Sequence, residues 1–393
     1  MSTNSSVLGL VELVDADGLM DTYGADCCRD LRAAFIQRLK SWTRGSDKWR
    51  ELGNNRFCVI LKDLNSRAEL ELATAKLSRI FEEPHQLFNQ WVPLEVNAGF
   101  VTLESASTDI NIALRQAGTA LREAKKSSRF FEVYSPQFER NSVAERALVK
   151  KLESAVERGE MDLYYQPKIH AGYRTVVGAE ALMRWHTPDN KVVGPNQFIK
   201  VAERHGVIKP MTWWAIKSAV SRLAKWPEEL SIAVNITPTL LLDDEILSVI
   251  KDVLEIHMVK PQRLTLEVLE SIMVDNQAPM LKQLARLRKL GVKVSIDDFG
   301  TGFSSLSYFR DLPADEIKID KSFVMPMLSS GKDHAIVKAV IDLAHNFSLR
   351  VVAEGVENQK IARRLTELNC DVLQGYVFDK PLPVADFERR YVI

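Results

Sequence analysis

Beyond about residue 160, hydrophobic positions fall into short alternating or apolar runs separated by longer amphipathic stretches. MDLYYQPKI (161–169), TVVGAEALMR (175–184), LSIAVNI (230–236) and RLTLEVL (263–269) read as strands. So do VKVSID (292–297), EIKID (316–320), RVVAE (350–354) and DVLQGYVF (371–378). Helical spacing covers 196–206, 210–226, 240–257, 277–290, 333–347 and 358–369. Eight strands in about 235 residues, most with a helix between them, predict a (β/α)8 TIM-like barrel. Only the first two strands lack a helix. Their connection, HAGYRT, is a short turn, so the first strand should run antiparallel.

Ahead of the barrel, QFERNSVAERALVKKLESAVERGE (137–160) is rich in helix formers and charge and predicts a connecting helix. The fold class is α/β, divided as a smaller domain over 1–136, the joint over 137–160 and the barrel over 145–393.

Composition narrows the partners. The 393 residues are 46% hydrophobic and 26% charged, with 52 basic and 52 acidic side chains. No overall charge recruits DNA or a membrane surface. Cys27, Cys28, Cys58 and Cys370 form no CxxC and read as reduced thiols. MSTNSSVLGL lacks the blocks of a signal peptide, and no sensor domain is expected ahead of the 1–136 unit. The most apolar helix, 211–226, carries Lys217, Arg222 and Lys225, so a cytoplasmic chain without membrane spans is expected.

Candidate chemistry gathers where barrel strands end. These ends carry Glu180, Asn235, Glu267, the pair Asp297 and Asp298, Lys318, Glu354 with Glu357, and Gln374. In such a barrel these ends form the site. Adjacent carboxylates resist joint ionisation unless a cation lies between them. An all-oxygen donor set without His or Cys suits Mg²⁺ or Mn²⁺. Two such ions about 3.5–4 Å apart serve phosphodiester hydrolysis, with Asp297 the natural bridge and Lys318 orienting the attacking water or stabilising charge on the phosphoryl group. Each residue taken singly has a plainer reading. An acidic group after a strand is often a helix cap, and Lys318 has surface partners available in Asp315 or Asp320.

The motifs YYQP (164–167), EALMRW (180–185), VNITP (234–238), LEVLES (266–271), DDFGTGFSSL (297–306), IKID (317–320), AEGVE (353–357) and QGY (374–376) occur in an order that resembles the EAL-domain cyclic di-GMP phosphodiesterases. The resemblance covers about 145–393. It implies a barrel with a reversed first strand that opens cyclic di-GMP to pGpG with two Mg²⁺ or Mn²⁺ ions, and commonly a homodimer formed through the barrel. It also implies that Glu180, Asn235, Glu267 and Asp297 hold the first metal, with Asp297 and Asp298 serving the second. Glu354 resembles the general base or a water-mediated ligand, and Lys318 and Gln374 polar partners of the water and metals. Arg184 and Gln166 resemble substrate contacts, Glu270 the anchor of the DDFGTG loop, and Glu357 a supporting acid. Departures are mild: Thr237 for Ser, Leu269 for Thr, Phe303 for Tyr. Leu269 is expected to loosen the anchor.

Residues 1–135 resemble a degraded GGDEF (diguanylate cyclase) domain, through DTYG (21–24) and FCVIL (57–61). GNNRF (53–57) stands at the signature, so its acidic pair has become Asn55 and Arg56, and no cyclase activity is expected. RGSD (44–47) matches the family's inhibitory RxxD through Arg44 and Asp47, though it also reads as an ordinary polar turn. This half is expected to regulate the barrel or recruit a protein partner. Two other readings compete with the hydrolase: a receptor that binds cyclic di-GMP without cutting it, and a barrel enzyme acting through a Mg²⁺-bound enolate. The first should have lost metal ligands, and the second needs a Lys or His base, for which Lys318 is the one candidate.

Overall fold

The structure is a computed structural model describing residues 6–14, 16–53, 55–64, 66–87, 90–92, 94–103, 109–189, 191–270, 277–300 and 312–392; the side chains of 16–28, 87, 90 and 277 are not described. The chain divides into two compact units, Met1–Arg146 and Ala147–Ile393.

In the first unit β1 (Ser6–Leu13) is central. It pairs antiparallel with β3 (Arg56–Leu61) and with β6 (Val96–Leu103). β2 (Lys48–Gly53) flanks β3, the short β4 (His85–Leu87) and β5 (Gln90–Val92) form a separate hairpin, and β7 (Phe131–Val133) runs parallel to β6. Period-two alternation buries both faces of β1. Val7, Val11 and Leu13 join Phe35 and Leu39 of α1 (Ala16–Trp42) and Leu77 and Phe81 of α2 (Arg67–Glu82). Leu8 and Leu10 pack with Ala113, Ala117 and Leu121 of α3 (Ile110–Lys126). The GNNRF stretch is the β2–β3 hairpin tip, where Gly53 and Asn55 take left-handed backbone (φ 90° and 56°). Asn54 lies outside the described residues.

The connecting helix is shorter than 137–160. α4 spans Pro136–Leu152, and turns follow as far as Gly159 (φ 68°). Leu152 and Ala155 are drawn into the second unit's apolar core, which ends the helix early.

In the second unit, eight strands close a barrel. β8 (Met161–His170) turns directly into β9 (Val176–His186), and the two pair antiparallel. β11 (Ser231–Asn235), β12 (Leu264–Leu269), β13 (Lys293–Phe299), β14 (Glu316–Ile319), β15 (Arg350–Ala353) and β16 (Val372–Leu373) follow in parallel. β16 then meets β8 antiparallel, so the first strand is reversed against both neighbours. Two-residue pairings at Val192–Val193 (β10) and Leu382–Pro383 (β17) flank the closure. Among the described residues the helices are α5 (Pro195–Arg204), α6 (Ile208–Leu223), α7 (Pro238–Leu241), α8 (Ile246–Ile256), α9 (Gln277–Lys289), α10 (Lys321–Val324), α11 (Gly331–Asn346), α12 (Gln359–Glu367) and α13 (Val384–Tyr391).

Two elements differ from the sequence pattern. The helix expected over 240–257 is two, α7 and α8, because Asp243 accepts from the Glu245 N–H at 2.9 Å and turns the chain between them. The strand expected over 371–378 stops at Leu373. A Cβ on Gly375 would lie 2.2 Å from the Val356 carbonyl oxygen, and Val356 N donates to the Gln374 carbonyl at 3.1 Å. The QGY stretch is therefore a turn folded onto residue 356.

The apolar core lies between barrel and helices. Leu264, Leu266, Val268, Val294, Ile296, Ile317 and Ile319 are all buried there, each contributing about 1.5–3 kcal/mol. Their alternating neighbours Thr265, Glu267, Ser295, Asp297, Glu316 and Lys318 face the barrel axis instead.

Candidate active site

At the strands' C-terminal ends these axial side chains converge. Register places Gln166 opposite Glu180 and Asn235 opposite Glu267. Lys318 is the hub, with a side chain only 1% exposed. Its Nζ lies 2.8 Å from Glu267 Oε2, 2.7 Å from Glu354 Oε1, 3.1 Å from Asp297 Oδ1 and 3.6 Å from Glu180 Oε2. Its alternative partners are engaged elsewhere: Asp315 pairs with Arg288 at 2.8 Å, and Asp320 caps α10 by accepting from Ser322 N at 3.0 Å.

Glu180 is fixed by amides. Asn235 Nδ2 donates to its Oε1 at 2.8 Å and Gln374 Nε2 to its Oε2 at 2.6 Å. Gln374 Nε2 also donates to Gln166 Oε1 at 3.1 Å, and Gln166 Nε2 donates to the Asp379 carbonyl at 3.3 Å. Arg184 lies on the Glu180 face of β9, four residues further along. Its guanidinium sits 5.4 Å from the Tyr164 ring centre, and its Nη1 donates to the Met183 carbonyl at 2.8 Å.

The adjacent aspartates are brought to one rim by a bulge. β13 pairs with β14 at Ile296–Ile317 and next at Phe299–Ile319, so one extra residue sits on β13. Asp298 has φ 54°, the left-handed region that Asp tolerates better than most residues. In a regular strand the two side chains would face opposite ways. Here Asp297, Asp298 and Glu354 each bring an oxygen within 4.8 Å of the others. Just after them Gly300 has φ 97°, and its N–H donates to Glu270 Oε2 at 2.9 Å. The Glu270 contact to this loop is therefore made with Leu269 in place. Residues 301–311, including Phe303 and the remainder of the DDFGTGFSSL stretch, lie outside the described residues.

Proton affinities follow from crowding of charge. Burial opposes ionisation of Glu267, but the Lys168 and Lys318 ammoniums outweigh it and hold the carboxyl down at about 2. Burial, then repulsion from Glu267, raises Glu180. Burial also pushes Glu354 up to about 8, against the pull of Lys318. Asp298 rises to about 6 through burial and then its neighbours Asp297 and Asp320. Lys318 itself is raised: burial works against its charge, and the carboxylates around it prevail. Lys318 and Lys168 together carry fewer charges than the four carboxylates around Lys318. The donor chemistry, all carboxylate and amide oxygen with Glu180, Asp298 and Glu354 raised in proton affinity by burial and crowding, fits hard divalent cations.

Glu357 is exposed between β15 and α12 and does not join the cluster. Lys168 and Glu316 do join it, from below. Sequence reading passed over them because a charged residue inside a strand ordinarily marks the solvent face; the available signal was Lys168's spacing of two from Gln166 in YYQPK.

In the first unit, Arg44 turns back on Asp47. Its Nε reaches Asp47 Oδ2 at 3.1 Å, and Lys62 N donates to Asp47 Oδ1 at 3.0 Å. The pair borders a groove of about 280 Å³ with Trp42, Leu64, Leu72 and Lys76. Arg56 Nε lies 2.5 Å from Glu12 Oε2, and Lys125 pairs with the other Glu12 oxygen. Among the described residues no helix is long and apolar enough to cross a membrane.

Comparison with known proteins agrees with this geometry. Residues 149–381 match the EAL domain family, and residues 4–130 match the diguanylate cyclase, GGDEF domain family. The cyclic di-GMP phosphodiesterase NbdA of Pseudomonas aeruginosa is 33% identical over 94% of this chain and 48% of its own length. The cyclic di-GMP phosphodiesterase PdeR of Escherichia coli is 32% identical over 86% of this chain and 52% of its own. The chain spans about half the length of the curated relatives it matches. Among solved structures, the MucR phosphodiesterase of Pseudomonas aeruginosa in complex with cyclic di-GMP superposes with a TM-score of 0.59 at 36% identity. It covers 61% of this chain and 99% of its own. An EAL-domain protein of Listeria monocytogenes gives 0.56 at 31% identity, over 62% of this chain and 96% of its own. With its paired aspartates, buried lysine hub and reversed first strand, the chain belongs to the EAL-domain family, and it carries a GGDEF-type domain in front.

Proposed function

We propose that the barrel hydrolyses cyclic di-GMP to linear pGpG. The observation that carries this reading is the convergence of Glu180, Glu267, Asp297 and Glu354 on Lys318, with Asp298 turned to the same rim by the bulge. Glu180, Asn235, Glu267 and Asp297 would hold one Mg²⁺ or Mn²⁺, and Asp297 and Asp298, with Glu354 nearby, a second. Such a pair supplies charge neutralisation and lowers the pKa of a nearby water.

The chain's own groups do the rest. Glu354 is held through Oε1 by Lys318, which leaves Oε2 to accept the proton of the attacking water. Lys318 keeps Glu267, Asp297 and Glu354 in register while that proton moves. Gln374 and Asn235 fix both oxygens of Glu180. Arg184, stacked over Tyr164, offers its remaining N–H donors to a substrate phosphate, a fork suited to paired oxygens. Gln166 steadies Gln374 at the floor and contacts the substrate side of the rim. Glu270 anchors the loop at Gly300, and Glu357 acts from outside the cluster as a supporting acid.

The first unit serves as a regulatory or protein-recruiting domain without cyclase activity. Arg56 stands at the signature position, and its ion pair with Glu12 supports that assignment. Arg44 and Asp47 border a groove that would take a nucleotide only after their ion pair opens. Two chains would pair through the barrel.

The test is chromatography of cyclic di-GMP incubated with the protein and Mg²⁺ or Mn²⁺, with Glu180→Ala alongside. Conversion to pGpG that falls to background in the variant is expected. Nucleotide binding without conversion would replace the hydrolase by a receptor.

A further inference from the structure

Beneath the rim a second buried lysine has no part in the chemistry above. Lys168 Nζ lies 2.7 Å from Glu267 Oε1 and 3.2 Å from Glu316 Oε1, and Ser295 Oγ donates to Glu316 Oε1 at 3.1 Å. Lys168, Glu267, Ser295 and Glu316 are all buried on the barrel axis. Glu267 is thus held from both sides, its Oε1 by Lys168 below and its Oε2 by Lys318 above. A carboxylate gripped at one oxygen can still rotate about its terminal bond; gripped at both, it presents a fixed plane. Glu316 has no place at the rim, and its position among Ser295 and Lys168 serves to hold the lysine head.

We propose that Lys168, seated by Glu316 and Ser295, is a positioning residue that fixes the Glu267 carboxylate for divalent-cation binding at the rim. The inference rests on the proposed function only in taking Glu267 as a metal ligand. Groups behind a metal ligand orient it, and their loss ordinarily weakens metal binding by about 10–100-fold. Arginine keeps the charge and its donors, whereas methionine keeps the volume without the donor. Removing Lys168 alone strands a buried Glu316, so the paired variant Lys168→Met/Glu316→Met, which deletes both charges at similar volume, separates folding from positioning.

The experiment is Mn²⁺ titration of the full chain, followed by calorimetry and by Mn²⁺ electron paramagnetic resonance, with unfolding curves alongside. Expected are Mn²⁺ binding about 10–100-fold weaker in Lys168→Met and in the paired variant, even though the latter regains most of its folding stability, and recovery to within about threefold in Lys168→Arg. Unchanged Mn²⁺ affinity in the folded paired variant would overturn the positioning role while leaving the rim reading intact. Absence of Mn²⁺ binding by the unsubstituted chain would overturn both. Weakening that tracks lost stability and disappears in the paired variant would reduce Lys168 to a structural ion pair and overturn the proposal.

Discussion

Two carboxylate–cation clusters sit at strand ends in this chain, and their charges run in opposite proportion. In the barrel one lysine, 1% exposed, faces four carboxylates. In the front unit two cations, Arg56 at 48% exposed and Lys125 at 36%, share the single carboxylate of Glu12. Even with Lys168 beneath Glu267, the barrel cluster gathers more carboxylates than lysines, in a place water cannot easily screen them. The front cluster is neutralised by side chains alone and lies partly in water. The first arrangement has a donor set that fits hard divalent cations, whereas in the second side chains alone balance the charge. Charge balance at a strand end distinguishes the two units more sharply than the folds themselves do.

Removing the hub should divide them most. Lys318→Met leaves buried carboxylates unpaired and is expected to cost the metal-free protein about 3–5 kcal/mol in urea unfolding, part of it regained with Mn²⁺. A loss below 1 kcal/mol would mean that the barrel cluster is no more demanding than the front one.

Acidity should reveal the same excess. Asp298 and Glu354 bind protons more tightly in the fold than in the unfolded chain, about 6 and about 8 against ordinary carboxyls near 4. Their contribution therefore favours the metal-free fold at low pH and is progressively lost between about pH 4 and 8. Glu267, held down at about 2, contributes in the other sense: its stabilisation is present above about pH 4.5 and is lost as the pH falls toward 2. Thermal melts of the chelator-treated chain should show the barrel transition falling as pH rises from 5 to 8, and Mn²⁺ should raise it more at the upper end. A melting profile that is flat across this range, or equally shifted by Mn²⁺ at both ends, would contradict the charge excess.

Backbone strain offers a smaller contrast. Gly300 (φ 97°) and Gly53 (φ 90°) both take left-handed backbone, but a Cβ at Gly300 would lie 3.0 Å from the Phe323 ring, whereas one at Gly53 meets nothing within 4 Å. Gly300→Ala should cost about 1–3 kcal/mol and disturb the Glu270 contact, and Gly53→Ala about 1 kcal/mol, both read from melting curves. Smallest of all is Arg56→Met. Arg56 is half exposed and Lys125 remains on Glu12, so about 0–1 kcal/mol is expected with turnover of cyclic di-GMP unchanged.

Much of this was legible in the chain. The eight strands announced themselves because each outward face needs Val, Ile or Leu at every second position, and the HAGYRT turn was too short to allow a parallel return. Axial residues at strand ends were equally plain, since acids cluster there only where something neutralises them. What escaped notice depended on backbone geometry or on unlike neighbours. The bulge that turns Asp298 beside Asp297 leaves no mark in period two, and the early end of β16 follows from Gly375 lying against residue 356. Lys168 was passed over because its partners Glu267 and Glu316 come from strands about 100 and 150 residues later.

Closure of the barrel has a temporal side. Gln374, which holds Glu180 and Gln166, lies 194 and 208 residues from them along the chain, and β16 completes the ring by pairing with β8. At about 5–20 residues per second of synthesis, Glu180 leaves the ribosome roughly 10–40 s before the glutamine that orients it. Through that interval Glu180 lacks the amide that holds its Oε2. A Glu180 held by both Asn235 and Gln374 therefore exists only once nearly the whole chain has been made.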